Sequence, residues 1–438
     1  MPRTMTLGLG FFAISLVWAV YNSFVPVFLR GFISSTALVG FLMTLDNIAA
    51  ITLQPYFGAL SDRTWTRVGR RMPFILVGGP VAAVSFALVP LFAGVVGTGH
   101  LSALPHMAPS FWLFLATIVV MNIAMSVFRA PTIALMPDIT PSALRSAANG
   151  IINFMGGLGV ALAYAGGAAL YNLAPELPFL AAAVVMAAAL ALVVWRVQEP
   201  RPGVSAGGTA GAGEAGSPAA TGSEARRGSG LLHAAGEVLL SRDKSALALL
   251  LAIFFWFCGY SGVEAFFTLY SKEFLGVGES AGALSLAFLS VAFLVLAIPA
   301  GFLAQHIGRK RTILLGITLI VVLFVALVPL RDIWVIRGLL VLLGAGWAFI
   351  NINSYPMVLE MTDESKTGAY TGLYYFFSSL AAIGAPPLYG LAIDKAGYGV
   401  LFVLSAVFFL VALLCMLAVR RGEAQPVGGS DAGAEARS

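Results

Sequence analysis

Residues 58–71 read Gly58-Ala59-Leu60-Ser61-Asp62-Arg63-Thr64-Trp65-Thr66-Arg67-Val68-Gly69-Arg70-Arg71, and residues 301–311 read Gly301-Phe302-Leu303-Ala304-Gln305-His306-Ile307-Gly308-Arg309-Lys310-Arg311. Each stretch closes one long apolar run and opens the next. A helix that ends here exposes its last carbonyls, which favour nearby cations. Arg70, Arg71 and Arg309 supply them. Asp62 is placed to pair with an arginine or to cap the following helix. Gly58, Gly69, Gly301 and Gly308 allow tight turns and close helix approach. One basic loop is ordinary. A glycine-and-cation loop at the same place in both halves of the chain marks a duplication. A weaker echo links 136–150 to 358–372, where Asp138 and Gly150 match Glu360 and Gly372 at one offset.

Working outward from these loops, the chain divides into apolar runs. The first half gives 7–29, 36–60, 73–97, 110–136, 146–171 and 178–197; the second gives 245–275, 281–303, 312–330, 334–358, 367–392 and 399–420. A run of about twenty apolar residues spans a bilayer core. The pattern therefore predicts an all-α membrane protein of twelve transmembrane helices, in two pseudo-symmetric six-helix bundles at 1–197 and 242–420. Composition agrees: hydrophobic residues make up 59% of the 438 and charged residues 10%. A soluble domain carries roughly a quarter of charged residues, and a β-barrel shows alternating runs of about ten. Between the bundles lies 198–241, whose stretch 201–230 is Ala, Gly, Ser and Pro with scattered charges and is too poor in apolar groups to offset its ordering entropy. It reads as a flexible cytoplasmic linker, and 421–438 as a disordered cytoplasmic tail.

Lys and Arg orient the chain. With the N-terminus inside, about nineteen fall on the cytoplasmic side and about five outside, leaving Arg129 within a helix. Both termini are expected in the cytoplasm of a cell whose inner membrane holds the protein. The net charge of +5 is thus topological and does not point to nucleic acid. Cys258 and Cys415 lie in apolar runs without metal or disulfide spacing, so no metal and no cofactor is expected. Met1–Thr6 is too short and weakly charged for a cleaved leader, and the first run reads as a retained helix. Parallel repeats of this kind mark transporters whose site lies between two halves near the bilayer midplane.

The duplicated loop resembles the signature of the major facilitator superfamily. Within it, Gln54-Pro55-Tyr56-Phe57-Gly58-Ala59-Leu60-Ser61-Asp62 with Gly69-Arg70-Arg71-Met72-Pro73-Phe74-Ile75 resembles sucrose transporters and their bacterial relatives, in the glycoside–pentoside–hexuronide cation symporter group. Arg129-Ala130-Pro131-Thr132-Ile133-Ala134-Leu135-Met136-Pro137-Asp138-Ile139-Thr140 is similar to that group's fourth helix and loop. Gly262-Val263-Glu264-Ala265-Phe266-Phe267-Thr268-Leu269-Tyr270 is similar to its seventh helix. The resemblance implies proton-coupled uptake of a disaccharide or other glycoside by alternating access. The chain departs from the group at its carboxylates. Ala50 and Gln54 stand where the sodium-coupled members carry paired acids, so a sodium site of that design is not expected. Arg129 and Asn122 stand where other members carry an aspartate.

Coupling must then rest on other groups. An ionisable side chain at membrane depth is costly and is a functional candidate by default. Asp46, Arg129 and Glu264 are the candidates for proton coupling. Asp46 and Arg129 form either a fixed ion pair between helices or a proton switch, in which displacement of the arginine changes the acid's proton occupancy; Arg129 also has the planar fork to hold sugar hydroxyls. Trp256, Tyr260 and Glu264, spaced by four, are expected on one face, where aromatic planes stack on a sugar's C–H side. Trp18, Tyr21 and Asn22 form a similar set on the first helix. Gln54, Asn122 and Asn351 complete the substrate-binding candidates, although amides in membranes also join helices. Gly58, Asp62, Gly69, Arg70, Arg71, Gly301, Gly308 and Arg309 form the expected cytoplasmic gating motif. Partners are then a small sugar or glycoside, protons and the lipid bilayer, with the protein acting as a monomer. An exporter on the same fold is the rival, and a nontransporting sensor a more distant one. An enzyme needs a nucleophile with its base or a metal cluster, and the sequence offers neither spacing.

Overall fold

A computed structural model describes residues 2–94, 109–139, 145–197, 243–362 and 366–422, with Gly236 and Val238. The expected linker and tail lie outside the described residues, apart from those two positions, Arg421 and Gly422. The chain is helical throughout: α1 (Pro2–Phe32), α2 (Thr36–Met43), α3 (Leu45–Arg63), α4 (Met72–Phe92), α5 (Pro109–Ile139), α6 (Arg145–Leu173), α7 (Leu177–Arg196), α8 (Ser245–Glu273), α9 (Glu279–Ile307), α10 (Arg309–Leu327), α11 (Ile333–Leu359), α12 (Thr367–Ala396) and α13 (Val400–Ala418). Twelve spans are long and apolar enough to cross a membrane, with α2 and α3 together forming the second. Only helices close all their backbone hydrogen bonds within one segment, which hydrocarbon demands. The outward faces stay apolar, as at Val77, Val184, Val295, Ile298 and Leu414. Trp195 and Trp334, exposed at span ends, sit against Arg196 and Arg337, as interfacial aromatics do.

The second span is broken, where the sequence predicts one continuous helix over 36–60. Thr44 donates both its amide and its hydroxyl to the Phe41 carbonyl, at 3.0 and 2.7 Å. A hydroxyl competing for the helix's own acceptor tightens the turn. A new helix starts with Ile48 N on Thr44 O at 2.9 Å. Asp46 therefore stands in the first turn of α3, against its positive end.

The two bundles repeat their pairings. In the first, α1 packs on α6 and α7, α4 on α5 and α7, and α3 on α5; in the second, α8 packs on α12 and α13, α10 on α11 and α13, and α9 on α11. Replacing each span by the one six later converts one set into the other. Lipid offers no hydrophobic drive between helices, so small residues that admit close contact decide these pairs. At Gly159 of α6 a Cβ would stand 2.3 Å from the Phe12 carbonyl oxygen of α1. The bundles meet where α2 packs on α12, α6 on α9 and α1 on α8. Hydrogen bonds that join the bundles include those of Asp394, at the end opposite the termini, and of Glu264, at mid-depth.

The duplicated loops share a positive-φ glycine but pair their cations differently. Gly69 takes φ +121° and Gly308 φ +91°, a region open to glycine. Arg71, 4% exposed, bonds Asp62 at 2.6 Å and Ser61 Oγ at 2.7 Å, and Ser61 Oγ donates to the Gly58 carbonyl. In the second bundle Arg309 meets Glu360 at 2.9 Å. Gln305 stands where the first loop has its acid, so this cation turns to a neighbouring span. Gly301 makes no close approach, its nearest neighbour being Ile352 at 3.9 Å.

Candidate functional site

The site is built on α1, the most buried of the twelve spans. Trp18, Tyr21 and Asn22 follow one another at the helical spacing that keeps them on one face. The rings of Trp18 and Tyr21 meet edge to face at 5.5 Å. Tyr21 is fully buried and neighbours Asn122 of α5, itself 4% exposed. Yet Trp18 Nε1 finds no partner among the described residues, and Tyr21 Oη and the Asn122 amide, though within reach of each other, make no bond of ordinary geometry. A buried polar atom left unpaired costs about 1–3 kcal/mol. Together these atoms, on two adjacent helices, form a set of donors and acceptors that a hydroxylated ligand would satisfy.

Three charged groups surround this set. Asp46 feels the charges of both Glu264 and Arg129, and its own charge reaches Tyr21. Its Oδ1 accepts from the amide nitrogen and the side chain of Asn47 at 2.6 and 2.8 Å. Arg129 is half-buried on α5, and among the described residues no ion pair holds it. Of the two readings of Asp46 and Arg129, a fixed ion pair is not formed in this conformation. The two act on each other through space.

Glu264 joins the bundles. Its Oε1 accepts from Asn22 Nδ2 at 3.4 Å and from Tyr164 Oη at 3.5 Å. Both donors lie in the first bundle, on α1 and α6, whereas Glu264 lies on α8. Beside it is a small cavity of ≈ 30 Å³, room for a water or two in this conformation. Its polar groups are Tyr164, Tyr260, Glu264, Ser290 and Trp347. The rest of its wall is apolar, with Leu286, Leu289, Ile320, Phe324, Leu343 and Phe409 among the lining. Tyr260 stacks on Trp347 of α11 at 4.3 Å with ring planes 7° apart.

The remaining candidates sit elsewhere. Trp256, one turn before Tyr260, is fully buried with its Nε1 unpartnered among the described residues, and it lies outside the cavity lining. Gln54 is buried on α3. Asn351 is half-buried on α11, one turn beyond Trp347. Asn353 donates to Phe349 O and to Ala300 O of α9, a helix-joining role. The sequence reading missed Tyr164, Ser290 and Trp347. Tryptophan in membranes favours the interfaces, so a Trp in the middle of the tenth span was a signal available for Trp347. Tyr164 and Ser290 had none.

The family model described as Major Facilitator Superfamily matches residues 7–386 and again 275–437. The chain belongs to this superfamily. Among curated superfamily relatives, the chain is similar to sucrose transport protein SUC3 of Arabidopsis thaliana, at 24% identity over 34% of this chain and 26% of that one. It is also similar to sucrose transport protein SUT3 of Oryza sativa subsp. indica, at 26% identity over 34% of this chain and 31% of that one. The matched part thus spans less than a third of either relative. Among solved structures, a nucleoside transporter, NupG, aligns with a TM-score of 0.71 at 12% identity over 96% of this chain and 100% of its own. A D-xylose-proton symporter aligns with a TM-score of 0.68 at 15% identity over 94% and 96%. At such identity the likeness is one of fold. Membership and the twelve spans make the chain a multi-pass membrane protein built as two six-helix bundles, with the Tyr21–Asp46–Glu264 region between them.

Proposed function

We propose that the protein is a proton-coupled symporter that takes up a disaccharide or other glycoside by alternating access. The observation that carries this is the cluster of buried polar atoms without well-formed bonds on Trp18, Tyr21 and Asn122 beside the carboxylate of Asp46. Hydroxyls spaced around a sugar ring suit such a mixed set, and the Arg129 fork adds a bidentate donor. The stacked Tyr260–Trp347 pair offers a flat apolar face for a sugar's C–H side. The sequence likeness to sucrose transport proteins and the fold shared with a D-xylose-proton symporter support the same reading. The Lys and Arg distribution orients both termini to the cytoplasm of an inner membrane, and no part of the site requires a second copy of the chain.

Coupling follows from Glu264. As a carboxylate it accepts from a donor on each of two first-bundle helices, and so ties α8 to α1 and α6. A proton on Glu264 removes the charge behind both bonds and loosens the tie. Proton occupancy and separation of the bundles are then linked, and linkage runs both ways. Asp46, within electrostatic reach of Glu264, is the second candidate carrier. The apolar wall of the cavity, with Glu264 as its one acid, favours a second reading: an exporter of an amphipathic cation.

Reconstitution in liposomes that enclose a pH dye tests these readings. Sucrose, maltose, trehalose and raffinose are added to wild type, Asp46→Asn and Glu264→Gln. Symport acidifies the lumen only with substrate. The variant that loses acidification but retains sugar exchange identifies the carrier. No acidification with any sugar, from a correctly inserted protein, overturns the glycoside assignment. Proton-driven movement of tetraphenylphosphonium would establish the exporter instead.

A further inference from the structure

Asp394 lies in the last turn of α12, where a carboxylate faces the negative end of its own helix and destabilises it. Its bonds all go to the other bundle. Oδ1 accepts from Thr36 N at 2.7 Å, and Oδ2 accepts from Ala37 N at 3.0 Å and from Ser35 Oγ at 2.9 Å. Ser35 in turn caps Leu38 N at 3.3 Å. The first amides of α2, which have no partner within their own helix, are thus satisfied largely by a side chain from the opposite half of the molecule.

A second feature of the same contact is independent of charge. A Cβ on Gly40 of α2 would stand 2.3 Å from the Pro386 carbonyl oxygen of α12. A Cβ on Gly390 of α12 would stand 2.3 Å from the Thr36 carbonyl oxygen of α2. Each helix thus presents a glycine to the other's backbone, one turn apart. No side chain could yield to make room. Contact at this end is as close as two backbones allow.

We propose that Asp394, with Gly40 and Gly390, is the latch that closes the outer end of the transport path. Asp394 is a positioning residue: it touches no substrate, but it sets the balance between outward- and inward-open states. Its bonds exist only while the bundles are closed at that end. Breaking them leaves the α2 amides and the carboxylate to water, which hydrates both, so the latch is reversible. The glycines make closure possible, and the carboxylate makes it favourable. The assignment of this end as outer rests on the orientation proposed above, and the latch itself does not depend on which solute is carried.

Side-specific labelling tests it. Val39→Cys, in a chain with Cys258→Ser and Cys415→Ser, puts a reporter on α2 that is fully buried while the latch is closed. A membrane-impermeant maleimide is added outside intact cells, with no substrate present. Hydrogen bonds to charged groups are strong enough that losing three should shift the population, and the labelling rate, on the order of tenfold or more. Asp394→Ala should show this increase. Asp394→Asn, which keeps the acceptor but not the charge, should fall between it and the parent. Gly390→Ala should label fastest, and should still bind solute from outside while net transport is lost. Unchanged outside labelling in Asp394→Ala and Asp394→Asn, with both proteins monodisperse after purification, overturns the proposal. So does labelling that rises only from the cytoplasmic side. Failure of every sugar to be transported would overturn the glycoside reading and leave the labelling result intact.

Discussion

Tyr260 and Trp347 come from spans seven and ten, and their parallel rings make one surface from two helices. Aromatic contacts contribute about 0.5–1.5 kcal/mol beyond their buried area. Trp347→Ala or Tyr260→Ala should therefore weaken substrate binding by roughly three- to tenfold, read by titrating intrinsic fluorescence or by the KM for uptake. Trp256→Phe, at a position outside the cavity, should leave affinity within about twofold while lowering thermal stability, since large core residues cost stability when trimmed. Equal loss of affinity in Trp256→Phe would return that residue to the site. Arg71 makes a different case. Removing one member of a buried ion pair costs about 3–5 kcal/mol, and somewhat less here because Asp62 is partly exposed. Arg71→Ala should lower the melting temperature in detergent, and Arg71→Lys should recover only part of it, because lysine cannot bond Asp62 and Ser61 through one planar fork. Residues tied to a local rule were legible in the sequence: Asp62 with its arginine, and the glycines at positive φ. Tyr164 and Ser290 were not, because what selects them is a group on another helix, and no spacing along their own helix records it.

At the scale of elements, periodicity and length gave the twelve spans, because hydrocarbon permits little else. The break at Thr44 was hidden. It carries neither Pro nor Gly, and a threonine hydroxyl that turns on its own helix looks like any other threonine in a sequence. The paired glycines of the fifth span, Gly156-Gly157 and Gly166-Gly167, were readable only as packing in general. Gly159, outside both pairs, sits against the Phe12 backbone, while a Cβ on Gly166 would meet nothing within 4 Å. These two positions make opposite forecasts. Gly159→Val should overpack the α1–α6 contact and cost about 1–3 kcal/mol. Gly166→Ala should be neutral, or stabilising by about 0.5–1 kcal/mol, because alanine suits a helix interior better than glycine. Melting curves of the two purified variants decide the matter, and similar losses at both sites would mean that the helix tolerates no substitution there rather than that α1 sets the limit.

The molecule as a whole is two bundles that repeat one set of pairings, and each bundle closes most of its contacts within itself. They are joined where α2 packs on α12, α6 on α9 and α1 on α8, and by hydrogen bonds that include those of Asp394 and Glu264. The sequence between the bundles is poor in apolar residues over 201–230, and that stretch has no composition suited to an interface, whereas Val238 near its end is buried in the core. Covalent continuity should then serve mainly to raise the concentration of one bundle around the other. Residues 1–200 and 231–438, co-expressed as separate chains, should assemble in the membrane, co-purify through a tag on either, and restore measurable transport. Asp394→Ala should weaken co-purification of the split pair more than it weakens the stability of the single chain, because the linker no longer compensates for the lost bonds. Bundles that are each inserted and folded but do not co-purify would show that the interface is too weak to hold without the chain between them, and the linker would have to be counted as part of the machinery.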